Sequence, residues 1–210
     1  MSAGGGTLRV AILAFDDVEA LDLAGPYEVF TTAARMHQRS AAGTAPPFEV
    51  QCVARTRAPV RMRAGLQVLP DRSFDDPPAV DLLIVPGGVV DAAMACAATR
   101  EWIARASREA RITASVCTGA FLLAASGVLQ GGESVTTHWE DIDDLRSRFP
   151  ALDVREGVRW VEQGRIVTSA GITAGITAGI DMSLHLVARL AGEPLALRTA
   201  RQMDFAWTRV

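Results

Sequence analysis

Residues 8–15 read Leu-Arg-Val-Ala-Ile-Leu-Ala-Phe, an almost unbroken apolar run of strand length that ends at Asp16-Asp17. A strand wetted on one face would alternate apolar and polar positions; a continuous run indicates cover on both faces, as in the middle of a parallel sheet. Runs of the same kind recur at 48–54, 81–85 and 111–116. Helical stretches are predicted between and after them, at 26–36, 89–98, 100–110 and from the cysteine at 117 to Gly127. Gly25 is read as a turn and Pro26 as the first helical position, which leaves Asp22 in a loop past the end of the first strand. Residues 60–70, with Gly65, predict a short hairpin. The charged helix beginning at Trp139 has acids in its first turn and Arg146 and Arg148 near its end, matching the helix dipole, and Pro150 stops it. Segments 154–160 and 165–169 predict a hairpin turning at Gln163-Gly164. Ile-Thr-Ala-Gly then occurs twice, at 172–175 and 176–179, an insertion of about one helical turn. Helices at 181–191 and 194–205 finish the chain. Strands alternating with helices predict an α/β fold, a single-domain three-layer sandwich with a mostly parallel central sheet and helices on both faces, flavodoxin-like.

The junction at 115–119, Ser-Val-Cys-Thr-Gly, has the small-x-nucleophile-x-Gly form of a nucleophile elbow with sulfur in place of oxygen. A thiol at the first turn of a helix faces the positive end of its dipole and free N–H groups, which favours thiolate. A small core hydrophobe in a strand-helix junction is the alternative for Cys117. In a parallel sheet the three strand ends after Phe15, Val85 and Val116 converge, bringing Asp22, the pair Gly87-Gly88 and Cys117 to one edge. The glycines let backbone N–H groups approach a ligand, or form a plain tight turn. Asp22 is a partner acid, protonated or sharing a proton when the sulfur is ionised, or a cap or turn residue. His138 stands in a loop and is a third candidate; otherwise it is a buried imidazole that positions Trp139. His185 lies on an apolar helix, as a packed or interface residue, and His37 at a helix end as a partner for the dipole. Cys52 belongs to a strand core, and Cys96, among alanines, to packing.

The length of 210 residues fits one domain, 8–210, after a flexible start at 1–7, and allows burial of roughly 70% of the unfolded surface without staples. Three cysteines, an odd number without paired spacing, indicate a reducing compartment. A net charge of −3 without a basic stripe argues against nucleic acid and against membrane anchoring. Neither a signal peptide nor a membrane-spanning run is present, which points to the cytoplasm. With one candidate histidine and no clustered thiols, neither a metal nor another cofactor is expected.

Five stretches together carry a family resemblance: Leu21-Asp22-Leu-Ala-Gly25-Pro26-Tyr-Glu-Val-Phe30, Val85-Pro-Gly-Gly88, Ser115-Val-Cys117-Thr118-Gly-Ala, Thr136-Thr-His138-Trp139 and Thr177-Ala-Gly-Ile-Asp181. The chain resembles the ThiJ/PfpI superfamily, with its class I glutamine-amidotransferase-like fold, and in detail is similar to the isonitrile hydratase branch and to the sensor domain of some AraC-type regulators. The resemblance implies Cys117 as elbow nucleophile, Asp22 as general acid where many members carry Glu, a small-molecule substrate and a homodimer. Thr118 after the cysteine points to the hydratase branch. The implied reaction converts an isonitrile to an N-substituted formamide, with backbone N–H groups near Gly88 and Thr118 polarising the intermediate. A non-catalytic sensing module and a glyoxalase or deglycase are the alternatives; the regulators continue into a helix-turn-helix region, whereas this chain stops at Val210, and the aldehyde enzymes fit Glu better at position 22. The second Ile-Thr-Ala-Gly unit departs from the family pattern.

Overall fold

In the computed structural model, which describes residues 6–170 and 177–209, the first apolar run forms β1 (Leu8–Leu13). The chain continues through α1 (Ala20–Ser40), β2 (Phe48–Ala54), the short strands β3 (Val60–Arg61), β4 (Gln67–Val68) and β5 (Arg72–Ser73), and β6 (Leu82–Val85). Next come α2 (Asp91–Ala95), α3 (Ala97–Glu109), β7 (Ile112–Val116) and α4 (Gly119–Ala125). The second half holds β8 (Ser134–Val135), α5 (Ile142–Arg148), β9 (Asp153–Val154), β10 (Trp160–Gln163), β11 (Ile166–Ser169), α6 (Ala178–Ala191) and α7 (Glu193–Gln202). The main sheet has the order β10-β11-β7-β6-β1-β2-β5 and is parallel except for the edge hairpin of β10 and β11. Helices α1, α6 and α7 pack on one another in one layer, and α2, α3 and α4 in the other. This is the flavodoxin-like arrangement expected.

The unbroken apolar runs are explained by that cover. Ile12, Leu13, Leu82, Leu83 and Ile84 are fully buried, and each contributes about 1.5–3 kcal/mol relative to an exposed side chain. Register matters for the site: Ile12 lies opposite Ile84, and Val85 opposite Ser115, so β1, β6 and β7 end at the same edge.

Several boundaries differ from expectation. Helix α1 starts at Ala20, not Pro26, because the Glu19 side chain accepts the Ala20 N–H as its cap. Pro26 is accommodated inside the helix, where its missing N–H removes the bond to the Asp22 carbonyl near the helix start. Gly25 serves packing instead of a turn: a Cβ there would stand 3.1 Å from Ile180 Cγ1 on α6. Asp22 is therefore a first-turn helical residue. The hairpin of β3 and β4 forms as predicted, but Val154 pairs with β8 instead of extending the later hairpin, which begins at Trp160. Of the N-terminal stretch expected to be flexible, Thr7 is anchored, its hydroxyl donating to Pro46 O at 2.7 Å. Most of the tandem Ile-Thr-Ala-Gly segment lies outside the described residues. Among those that are described, no helix is long and apolar enough to cross a membrane.

Candidate active site

The loops that follow β1 and β6 are stitched together. Glu19 N–H donates to Gly87 O at 2.9 Å and Val89 N–H to Asp17 O at 3.0 Å, around a bridge between Val18 and Gly88. Gly88 has φ +141, and a Cβ there would fall 2.3 Å from Asp17 O. At Gly87 it would fall 2.6 Å from both Thr118 N and Thr118 Oγ1, and 2.9 Å from Asp22 Oδ2. The glycine pair thus makes room for three loops to meet. The Gly88 amide, expected to face a reaction intermediate, is committed instead: it donates to Thr118 Oγ1 at 2.9 Å, and the Thr118 hydroxyl donates to Gly88 O at 2.9 Å.

Cys117 sits at φ 55, a left-handed conformation rare for a residue with a side chain. Such strain costs of order 1–3 kcal/mol and persists only where the surroundings fix it. Here Cys117 N–H donates to Ser169 O on β11 at 3.1 Å, and Thr137 Oγ1 donates to Cys117 O at 3.0 Å. Gly119 completes the turn, since a Cβ on it would lie 2.1 Å from Val85 O. The elbow pattern is thereby realised in the backbone.

Asp22 and Cys117 are 7% and 8% exposed and face one cleft of about 340 Å³ together with Thr118, Gly88, Phe121 and His138. Burial, helped by the charge of Glu19, pushes the Asp22 carboxyl up to about 6, although the Cys117 thiol and the Gly87 backbone pull the other way. Its Oδ2 is buried and has no hydrogen-bond partner among the described residues. Burial first, and the Asp22 charge second, hold the Cys117 thiol well above the ordinary range, against the Thr118 backbone N–H. This corrects the expectation of a resting thiolate: α4 has only seven residues, and its dipole does not offset desolvation and two neighbouring carboxylates. The resting pair is a neutral thiol beside a carboxyl that ionises near neutrality.

His138 is buried and lines the cleft, with Nε2 3.5 Å from Glu140 Oε2 and its ring centroid 6.0 Å from that of Trp139. The groups acting on the Cys117 thiol are Asp22, Asp141 and the Thr118 backbone. Asp141 was hidden in the sequence because an acid at a helix start is already explained by the dipole. The other histidines lie elsewhere: His185 Nε2 is 2.5 Å from Glu162 Oε2 beside Trp160, and His37 Nε2 is 3.0 Å from Thr44 Oγ1. Cys52 is buried, its thiol pushed up to about 12 by desolvation. Cys96 is half-buried, and hydrogen bonds from Thr99 lower its pKa, so it is more ionisable than packing alone implied. Among the described residues no group of three His, Cys, Asp or Glu side chains is placed to hold a metal ion.

Known proteins resemble this chain in sequence and in fold. The chain is 36% identical over 200 residues to isonitrile hydratase from Pseudomonas putida, covering 95% of this chain and 79% of that one. It is 36% identical over 135 residues to the HTH-type transcriptional regulator GbdR of Pseudomonas aeruginosa, covering 63% of this chain but 34% of the regulator. The crystal structure of a ThiJ/PfpI family protein from Pseudomonas syringae superposes with a TM-score of 0.80 at 27% identity, over 100% of this chain and 83% of that one. The DJ-1/PfpI family pattern matches residues 8–188, and the chain belongs to that family.

Proposed function

We propose that this protein is a cysteine-dependent hydratase that converts an isonitrile to the corresponding N-substituted formamide, with Cys117 as nucleophile and Asp22 as the proton-transfer group. The observation that carries the reading is the pairing of a strained elbow thiol with a buried carboxyl whose proton equilibrium is pushed up to about 6. Such a carboxyl is matched to accept and return a proton near neutral pH. As Cys117 Sγ attacks the terminal isonitrile carbon, the thiol proton passes to the Asp22 carboxylate. Asp22 then protonates that carbon, giving a thioimidate in which carbon holds sulfur, one hydrogen and the C=N bond. Water adds across C=N, its oxygen to carbon and one proton through Asp22 to nitrogen; the tetrahedral adduct then collapses as the C–S bond breaks, its hydroxyl proton passes through Asp22 to sulfur, and the formamide leaves with the thiol restored. The net change is addition of one water. Thr118 N–H stabilises negative charge on sulfur during attack, Gly87 leaves room for Asp22, and His138 shapes the wall of the cleft.

Support for the hydratase over a glyoxalase or deglycase comes from the similarity to isonitrile hydratase and from Asp at position 22. The likeness to GbdR favours a second reading, a small-molecule sensor using the same cleft without turnover. Incubation with a panel of alkyl and aryl isonitriles, with methylglyoxal as control, decides among them. Formamide is expected from the wild type and not from Cys117→Ala; binding of isonitriles without product favours the sensor, and methylglyoxal consumption alone the aldehyde enzyme.

A further inference from the structure

The cleft around Cys117 is unevenly charged. Among the described residues six carboxyl groups line it, from Glu19, Asp22, Asp91, Glu140, Asp141 and Asp144, against two guanidinium groups, Arg63 and Arg148. Both cations are already engaged. Arg148 lies 3.0 Å from Asp144 and 3.5 Å from Asp91, and Arg63 lies 3.7 Å from Glu19. His138 faces Glu140 at 3.5 Å, and Asp141 acts on the thiol through space. Beside the thiol, the Asp22 carboxyl lines the cleft, its buried Oδ2 without a hydrogen-bond partner among the described residues, so an ionised Asp22 adds a poorly compensated negative charge next to Cys117. The remaining wall is apolar, from Val89, Val90 and Phe121.

Low-dielectric walls concentrate the field of such a rim, raising the local concentration of cations and lowering that of anions. An anion entering the cleft would also lose water, while the two guanidinium groups among the described lining residues are already paired with carboxylates. We propose that the cleft selects small molecules whose electrophilic carbon is joined to a short chain bearing an ammonium or amidinium group, and rejects carboxylates, sulfonates and phosphates. This rests on Cys117 being the reacting thiol, but not on isonitriles being what it reacts with.

The test uses three methanethiosulfonates of matched size, aminoethyl (cationic), hydroxyethyl (neutral) and sulfonatoethyl (anionic), on the full chain carrying Cys96→Ser. Each places a disulfide on Cys117 as methanesulfinate leaves, and peptide mass gives the rate, which is divided by the rate of the same reagent with 2-mercaptoethanol. At low salt the cationic reagent is expected to react at least about tenfold faster than the anionic one, the low end of the effect of a charged cleft on association. The ratio should shrink toward one at about 1 M salt, where screening acts within about 3 Å, and in the Glu140→Gln/Asp141→Asn variant. Equal cationic and anionic rates at low salt, with the neutral reagent reacting, overturn the proposal alone. Failure of all three reagents to modify Cys117 overturns the reading of Cys117 as an accessible thiol, and the charge selection with it.

Discussion

In an Asp22→Asn variant the carboxyl beside Cys117 is exchanged for an amide of nearly the same shape, so the main change is the loss of one buried charge and one proton acceptor. Two unit charges about 4 Å apart repel by about 4 kcal/mol at an effective dielectric of about 20. At 1.36 kcal/mol for each tenfold change, removing that repulsion raises the thiolate fraction at fixed pH by up to about 10³. Desolvation, the larger cause of the raised thiol, persists, so Cys117 stays less ionised than a free cysteine. Alkylation by iodoacetamide at pH 8, followed by mass at the Cys117 peptide, should therefore be faster in the variant by about 10- to 10³-fold. Formamide production should move oppositely, falling by about 10²- to 10⁴-fold, because a general acid–base group has been removed. Since the reactive form pairs a neutral thiol with an ionised Asp22, wild-type activity should rise with pH through about 6, and the variant should lack that limb. Alkylation that is unchanged or slower would refute the argument that Asp22 holds the thiol in its protonated form.

The same carboxyl bears on stability. Its folded value, about 6, lies above the ordinary 3.8, so its contribution is full below about pH 4 and is lost as pH rises to about 6; urea unfolding should show wild type losing about 3 kcal/mol relative to Asp22→Asn across that window. Gly119→Ala drives a methyl group into Val85 O and is expected to cost about 3 kcal/mol, the upper end of the usual overpacking range, read as a fall in Tm; an unchanged Tm would mean that strand and helix have slack. Asp181 is fully buried, ion-paired with Arg159, and accepts the Thr208 N–H at 2.7 Å. Asp181→Ala should cost about 3–5 kcal/mol and expose residues 203–209 to limited proteolysis; an intact C-terminal segment would count against that anchor.

The central strands were legible because cover on both faces writes a continuous apolar run into β1, β6 and β7. The start of α1 was not, since Gly25-Pro26 is a local breaker whose role here is set by Ile180, more than a hundred residues away. Convergence of Asp22, the glycine pair and Cys117 followed from parallel topology alone. The protonation state of Cys117 did not follow: the helix dipole can be read locally, whereas desolvation and the Asp141 charge come from distant segments. For the same reason the Gly88 N–H looked available, although the Thr118 hydroxyl, 30 positions on, takes it.

That reciprocal contact between Thr118 and Gly88 bears on how readily the site can be re-engineered. A designer who exchanges position 118 to import another chemistry also undoes the fastening between the elbow and the loop that spaces Asp22 from it. Retargeting this scaffold is thus a two-loop problem, in which a graft at 118 needs a compensating redesign at 87–88 before a change in selectivity can be attributed to the new side chain.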